Sequence, residues 1–586
     1  MIKNYGCLLF RAILCLIFPG AFLFFSAQCF AGTVDLEPIT VEKQTSPWMS
    51  VRHERISPQD KPGNSCEELV DYSSAVELKK RSGFGVQQDV SLRGSIFEDT
   101  AVILNGITIN DPQTGHFSLE IPFTSADLEY AQVRLNSQQL SFVLKQPQSS
   151  GMTLRTAFGQ YALWEQLFST NFELQSTRNR ISIEHKISSG ARRDTDFEIY
   201  NFSSHNVWDH EGSHVEFLFG ATQRDFGADG FYSSRFTSEE EHISQQFYQL
   251  KVGQDMGDYR LVPNVYLRRH VDKFILNRHN PAFYTNLHTT YVWGSNIEAV
   301  YDDWFLVQAS CEQEIINSTN LKKHDRFKNG MTMGLRNVVL DKFTLDTSFS
   351  LDYSDSRRWL ENANFVLRYA LDPSIGLQFD YDHLWRAPSF TELYYNDPSN
   401  RGNNSLGIQQ TDNFQFGVDY SSSWGLGCAA DIFLREQKNT IDWGKNTSLA
   451  VWQATNVGDL SVRGFDLKAA MTIESWFKNI SAAYTYLDIS QAKPYIFSKY
   501  VFDYSRHKLE AALKLAPKFF TLDLLANFSK PMNRSSYPTF DLVLGKNINQ
   551  LTVSLEGTNI FNKKYYEMDG IVSGGRWFKL CARYDF

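Results

Sequence analysis

The end of the chain sets the strongest limit on its fold. Counting back from the C-terminus, Phe586, Tyr584, Ala582, Leu580 and Phe578 fall on one face of an extended chain. Asp585, Arg583, Cys581 and Lys579 fall on the other. Side chains on a strand alternate sides with period two, so this segment offers an apolar face to lipid and a charged face to a wet lumen. The alternation returns in Phe540-Asp541-Leu542-Val543-Leu544 and in Leu551-Thr552-Val553-Ser554-Leu555. From about residue 151 onward, segments of roughly ten alternating residues repeat between turn signals. Lys546-Asn547 reads as a short inner turn, and the polar stretch Tyr394–Gln410 as an outer loop.

Composition agrees with a barrel wall. Aromatic residues make up 14% of the chain while the mean hydropathy is only -0.34, far too polar for a bundle of membrane helices. The one long apolar run is Leu8–Phe25, with Lys3 before it, Arg11 within it and Cys29-Phe30-Ala31 after it. This is the pattern of a secretory signal peptide cleaved after Ala31. An exported chain with no second apolar helix is either soluble or a barrel. A soluble sandwich array or propeller would show a repeat of roughly 40–100 residues, and none is found. Of seven cysteines, Cys66, Cys311, Cys428 and Cys581 lie beyond Ala31, scattered and without a CxxC pair. They are expected to be free and buried. A net charge of -9 gives no basic footprint for nucleic acid.

The chain divides into a signal peptide (1–31), an extended periplasmic linker (32–50), a mixed region (51–150) and the alternating region (151–586). At roughly 20 residues per strand and connection, the last region makes about 22 antiparallel strands, the size class of plugged barrels.

Residues 90–133 carry a resemblance. Val90-Ser91-Leu92-Arg93-Gly94 is followed by Ala101–Pro112, then Ile121-Pro122, Ala126-Asp127-Leu128-Glu129 and Val133. The order resembles the plug of TonB-dependent outer-membrane receptors. Asn105-Gly106 reads as a two-residue hairpin turn, and Val102, Leu104, Ile107 and Ile109 as a small core. Trp385–Tyr394, Asn403–Leu406, Asn456-Val457-Gly458, Gly464-Phe465-Asp466, Asn559–Glu567 and Gly575-Arg576-Trp577 are similar to barrel motifs of the same family. The resemblance implies an all-β membrane protein of the Gram-negative outer membrane, with an N-terminal α/β plug inside the lumen. It implies transport, not catalysis. Residues 183–294, with Phe226–Tyr232 and Arg268–Phe274, resemble the receptors grouped with cobalamin transporters.

Glu37, Pro38, Ile39, Thr40 and Val41 resemble the Ton box, which adds as a strand to the TonB energy-transducing complex. The family's geometry puts small-molecule ligand (a corrinoid or another metal chelate) against Phe84, Gly85, Val86 and Gln87 and against Asp111, Gln113, Thr114, Gly115, His116 and Phe117. Phe84 and Phe117 serve equally well as local packing. Two departures stand out. Arg134–Gln146 contains no glycine where the family plug is glycine-rich, and Gly407-Ile408-Gln409-Gln410 replaces an expected Pro-Glu.

No cofactor is required. Asp194, Asp196, Asp225 and Asp229 offer oxygen ligands for a structural Ca²⁺ in the outer loops, although solvated loop charge explains them as well. His270, His279 and His288 have a spacing that suits strand and loop positions without metal. Energised uptake of cobalamin or another scarce chelate is the leading function. A siderophore or haem receptor, a passive channel and a surface protein with an atypical plug remain open beside it. Ser505-Arg506-His507 lacks the context of a hydrolase nucleophile.

Overall fold

The computed structural model describes residues 54–58, 65–231, 237–354, 358–473, 475–491, 497–568, 571–573 and 575–586. The segment 1–31 and Glu37–Val41 lie outside them. A single sheet runs from Ser150–Gly159 round to Trp577–Asp585. These two strands pair with each other, Leu580 opposite Phe158 and Arg583 opposite Arg155, so the sheet has no free edge. The result is a closed 22-stranded antiparallel barrel. Two further two-residue strands, Asn400–Arg401 and Phe497–Ser498, pair at its rim. No helix among the described residues is long and apolar enough to cross a membrane; the strands cross it.

The wall is built on the period read from the sequence. Along Gln409–Ser421, the inward Gln409, Thr411, Asn413, Gln415 and Asp419 are buried, while Phe414, Phe416, Val418 and Tyr420 are exposed. The terminal strand behaves alike: Leu580 is 55% exposed, and Lys579 and Cys581 beside it are buried. Backbone N–H and C=O groups pair from strand to strand around the closed sheet, which is what allows strands to cross hydrocarbon. Connections are short at one end, as at 211–212 and 257–258, and long at the other, as at 387–408. Short turns mark the periplasmic end and long loops the outer end. The inner turn expected at Lys546-Asn547 falls later. Both residues stay in the strand Tyr537–Ile548, and Asn549 takes the left-handed conformation (φ 55°) that the tight turn requires.

The lumen holds a small domain with its own core. Strands β1 (Glu54–Ile56), β4 (Ala101–Leu104), β5 (Ile107–Thr108), β6 (Leu128–Arg134) and β7 (Gln139–Leu144) form a sheet in the order β1-β6-β7-β4-β5. A separate hairpin joins β2 (Val76–Lys80) to β3 (Gln88–Leu92). Among the described residues, the helical part of this domain is limited to 3-10 turns at Glu67–Tyr72, Phe97–Asp99 and Gly115–Phe117. Leu69, Val102, Leu104, Leu128, Leu140 and Phe142 are fully buried in one cluster, which also takes in Leu218 and Phe247 of the barrel wall. Asn105 (φ 46°) and Gly106 (φ 89°) form the hairpin turn between β4 and β5.

The glycine-free passage is the centre of this sheet. β6 turns back at Asn136–Gln138 into β7, whose Leu140, Phe142 and Leu144 point into the core. β7 then pairs in parallel with β4. A central strand needs β-branched or bulky side chains and is weakened by glycine, which accounts for the composition there. All four cysteines beyond residue 31 are free; Cys66 and Cys581 are buried, Cys311 and Cys428 only partly.

Candidate functional site

The loop after β5 faces the outer end, and its geometry is set by two side chains. Asn110 accepts the Val102 N–H (2.8 Å) and donates to the Thr100 carbonyl (2.8 Å), closing the loop onto β4. Asp111 accepts the Gln113 N–H at 2.8 Å in a local turn. The same carboxylate accepts from Arg268 at 2.6 Å and from Thr290 at 3.1 Å, and lies 3.3 Å from His270. Burial penalises this charge, yet Arg268 and His270 together hold the carboxyl below the usual carboxylate range. His270 also lies 2.9 Å from Glu120, so one imidazole from the wall sits between two plug carboxylates. Gln113 donates to Asp272 at 3.1 Å, and the Phe117 ring rests 4.8 Å from the His270 ring.

His116 turns the other way, into the plug. Its Nδ1 is 2.7 Å from Asp89, and its ring stacks on Phe97 at 4.1 Å. Arg81 reaches the same Asp89 at 3.1 Å. Burial alone would raise the Asp89 pKa, but His116 and Arg81 pull it down to about 2. Thr114 donates to Glu98 at 3.1 Å. Burial, reinforced by the nearby Glu392 carboxylate, pushes Glu98 up to about 8.

The second group of expected ligand residues is also packed. Phe84 (φ 65°) donates its N–H to Glu68 at 2.7 Å, and its ring lies 4.7 Å from Trp577. Gly85 (φ 84°) takes a left-handed conformation that only glycine enters freely, and its carbonyl accepts from Arg224. Val86 and Gln87 are each 1% exposed. Among Phe84–Gln87 and Asp111–Phe117, then, most side chains meet the wall or the plug core.

An outer loop covers the apical residues. The helix Phe390–Tyr394 starts at a capping box formed by Ser389 and Glu392. Its first N–H groups donate to the plug: Phe390 to the Pro112 carbonyl at 2.8 Å and Thr391 to the Gln113 carbonyl at 3.0 Å. Arg386 ties the base of this loop to Glu392 (2.8 Å) and to Asp99 of the plug (2.9 Å).

Deeper, a chain of buried ion pairs joins plug to wall. Arg93 donates to Asp466 (2.8 Å) and Gln415 (2.8 Å) and lies 4.0 Å from the Phe433 ring. Arg435 donates to the Leu92 and Arg93 carbonyls. Arg224 meets Glu67 at 2.8 Å, and Lys79 meets Asp503 at 2.9 Å. Of these wall residues the sequence pattern marks Asp466, within Gly464-Phe465-Asp466, without giving it a partner, and it does not mark Arg224, Gln415, Arg435 or Asp503. The available signal was a charged residue at an inward position of an alternating strand, which alone reads as lumen-facing polarity.

The outer-loop aspartates divide among cations of the protein itself. Asp196 pairs with Arg278 at 2.6 Å and Asp194 lies 3.6 Å from the same guanidinium. Asp225 pairs with His242 at 2.6 Å, and Asp229 faces Arg192 at 3.8 Å. Among the described residues, no group of three or more His, Cys, Asp or Glu side chains is placed to hold a metal ion.

The family model described as TonB dependent receptor-like, beta-barrel, matches residues 134–560. No curated protein matches the chain. Among solved structures, the fold is similar to the siderophore receptor PirA from Pseudomonas aeruginosa at 14% identity and TM-score 0.69, over 91% of this chain and 99% of that one. It is similar to the copper transporter OprC at 13% identity and TM-score 0.77, over 91% and 100%. The FrpB iron transporter from Neisseria meningitidis matches at 11% identity and TM-score 0.71, over 89% and 96%. At these identities the likeness concerns the fold. The family model covers most of the chain, and the chain therefore belongs to the TonB-dependent receptors, plugged β-barrels of the outer membrane.

Proposed function

We propose that the protein takes up a scarce metal chelate or corrinoid across the outer membrane, driven through a Ton box at Glu37–Val41. The observation that carries this reading is the seating of the plug. Buried pairs such as Arg93–Asp466, Arg224–Glu67 and Arg268–Asp111 fasten it to widely separated strands of the wall. Breaking one buried pair from one side costs about 3–5 kcal/mol. A plug held by several of them leaves its seat only rarely by thermal motion, and on this reading an external pull supplies the difference.

Ligand contact at Asp111, Gln113, Thr114, Gly115, His116 and Phe117 requires the helix Phe390–Tyr394 to release the Pro112 and Gln113 carbonyls. On this reading the outer loop exchanges those bonds for ligand, and Phe84–Gln87 act through the plug's packing. Similarity to structures titled siderophore receptor, iron transporter and copper transporter favours a metal chelate over cobalamin as the cargo to test first. A Ca²⁺ at Asp194, Asp196, Asp225 and Asp229 would have to displace Arg278, His242 and Arg192 from them.

The second reading, a passive channel, separates cleanly in a planar bilayer. The receptor reading expects the full chain to show no steady conductance in the absence of applied force. Steady ohmic conductance of the intact protein would establish the passive channel instead.

A further inference from the structure

Two cavities lie between the plug and one sector of the wall, and they are neighbours. The upper one, about 90 Å³, is bounded by Phe84 and Lys80 of the plug and by Asp541, Trp577 and Lys579 of the wall. The lower one, about 320 Å³, is bounded by Lys145 of the plug and by Arg155, Arg180, Cys581 and Arg583 of the wall. Glu556 lines both. Along Trp577–Asp585 the inward positions run Trp577, Lys579, Cys581, Arg583, from the outer end towards the periplasm. The first two belong to the upper cavity and the last two to the lower. The residue they share is Glu556, which lies 3.2 Å from Lys579 of the upper cavity; the same ammonium is 3.2 Å from Glu165.

The lower cavity carries excess positive charge. Arg155 is matched by Glu165 at 3.3 Å and Arg583 by Asp585 at 2.9 Å. Arg180 has no carboxylate partner among the described residues. Its guanidinium donates to the Lys145 and Gln146 carbonyls (2.8 and 3.1 Å) and to Asn171 (3.0 Å), which fixes the charge in place. Lys145 has no ion pair among the described residues either. Burial, together with Arg180 and Arg583, pushes its ammonium below the usual lysine range, while Asp127 and Glu129 oppose this. Asp127 is engaged by Ser182, Ser203 and Thr124. Of the charged side chains that line it, Lys145, Arg155, Arg180 and Arg583 are cationic and Glu556, paired with Lys579, is anionic; a concave site with such a cationic excess concentrates anions. The volume lies at the lower end of the roughly 300–1,000 Å³ range of small-molecule sites.

We propose that this lower cavity binds a small polyanion bearing several carboxylates, on the periplasmic half of the plug–wall seam. This deepens the uptake reading by naming the charge class of the cargo, and it rests on that reading for its physiological meaning. The site itself is a property of the resting protein. It is therefore tested without energy or transport.

Cys581 is a reporter already inside the cavity, with its sulfur 3.3 Å from Arg155 Nε. Purified full-length protein in detergent is treated with a sulfonate-bearing or a trimethylammonium-bearing methanethiosulfonate, and modification is read by mass on the Cys581 peptide. Cationic focusing predicts that the anionic reagent reacts about tenfold faster or more. Ferric citrate should slow that reaction saturably, whereas an equal concentration of sucrose should not. Lys145→Gln combined with Arg583→Gln should bring the two rates to within about twofold and abolish the protection. Equal rates in the wild type, a faster cationic reagent, an unreactive Cys581, or protection that survives the double variant each overturn the proposal. Equilibrium dialysis of ferric citrate against the same proteins gives an independent reading, and binding unchanged by the double variant also overturns it. Protection of Cys581 in a protein whose cellular uptake ignores the Ton box would leave this site standing while the energised reading fails.

Discussion

Replacing Arg93 with alanine removes one buried fastening between plug and wall. The guanidinium gives up hydrogen bonds to Asp466 and Gln415, each 2.8 Å, and its seat 4.0 Å from the Phe433 ring. Asp466 is left fully buried with Thr485 as its remaining donor at 2.6 Å. Stranding one member of a buried pair costs about 3–5 kcal/mol. The left-handed backbone at residue 93 (φ 48°) is equally unfavourable for alanine and does not offset the loss. At about 1.4 kcal/mol per decade, plug opening should become roughly one hundred to several thousand times more frequent. Cys66 reports it, since the thiol is 1% exposed in the plug core and donates to the Phe123 carbonyl. Its labelling rate by a neutral disulfide reagent, measured in dilute urea and extrapolated to water, tracks the open population when closing outpaces labelling. The further change Asp466→Ala in the same chain should recover much of the loss, because the uncompensated charge is then gone. An Arg93→Ala rate within about fivefold of wild type would mean a cost near 1 kcal/mol. That would refute the claim that the plug is held by buried charge pairs.

Two further changes probe the same seat. At Gly220 on the wall, a Cβ would sit 2.5 Å from the Pro122 carbonyl and 2.8 Å from the Phe123 ring. Overpacking of this kind costs about 1–3 kcal/mol, so Gly220→Ala should speed Cys66 labelling, and an unchanged rate would show that the contact is loose. Glu98, raised to about 8 from an ordinary 4.5, stays protonated in the folded protein where the unfolded chain is ionised. The unfolded state thus binds fewer protons between those pH values, and stability falls as pH rises through the window. Asp89, lowered to about 2, acts oppositely, losing its contribution only as pH falls through acid values. Amide exchange at Phe390 and Thr391 should therefore quicken from pH 5 to pH 8.5 beyond its intrinsic rise, and Glu98→Gln should remove the excess; an excess that persists would place the titration elsewhere.

Much of this architecture is legible in the sequence because it is local. Period-two alternation specifies the wall, and the faces assigned to Leu580 and Lys579 are those the structure gives them. Asn105-Gly106 encodes its own turn through the left-handed conformations both residues accept. The inner turn near residue 549 was missed at Lys546-Asn547 because the true turn uses Asn549, and a polar dipeptide in a lumen-facing strand looks like a turn. What local pattern cannot carry is pairing across distance. Arg93 and Asp466 are 373 positions apart, and Asp111 and Arg268 are 157 apart. Nothing near either member names the other. The same blindness made Asp111–Phe117 look like an open ligand loop, although Arg268, His270 and the Phe390–Tyr394 helix occupy most of its polar groups. It also left the loop aspartates looking available, where Arg278 holds two of them.

On the proposed function, a pull from the periplasm, transmitted through the N-terminal segment, unseats a plug that is otherwise latched. Val41→Pro removes a backbone N–H from the proposed strand-addition peptide, which lies outside the described residues. Cells expressing either form as their sole receptor are given a panel of iron and copper chelates and cobalamin, with surface binding and internal accumulation counted separately. Binding should be equal in the two forms, and accumulation should fall to the receptor-free background in Val41→Pro. Accumulation that is the same in both forms, for every compound that enters, would contradict this reading.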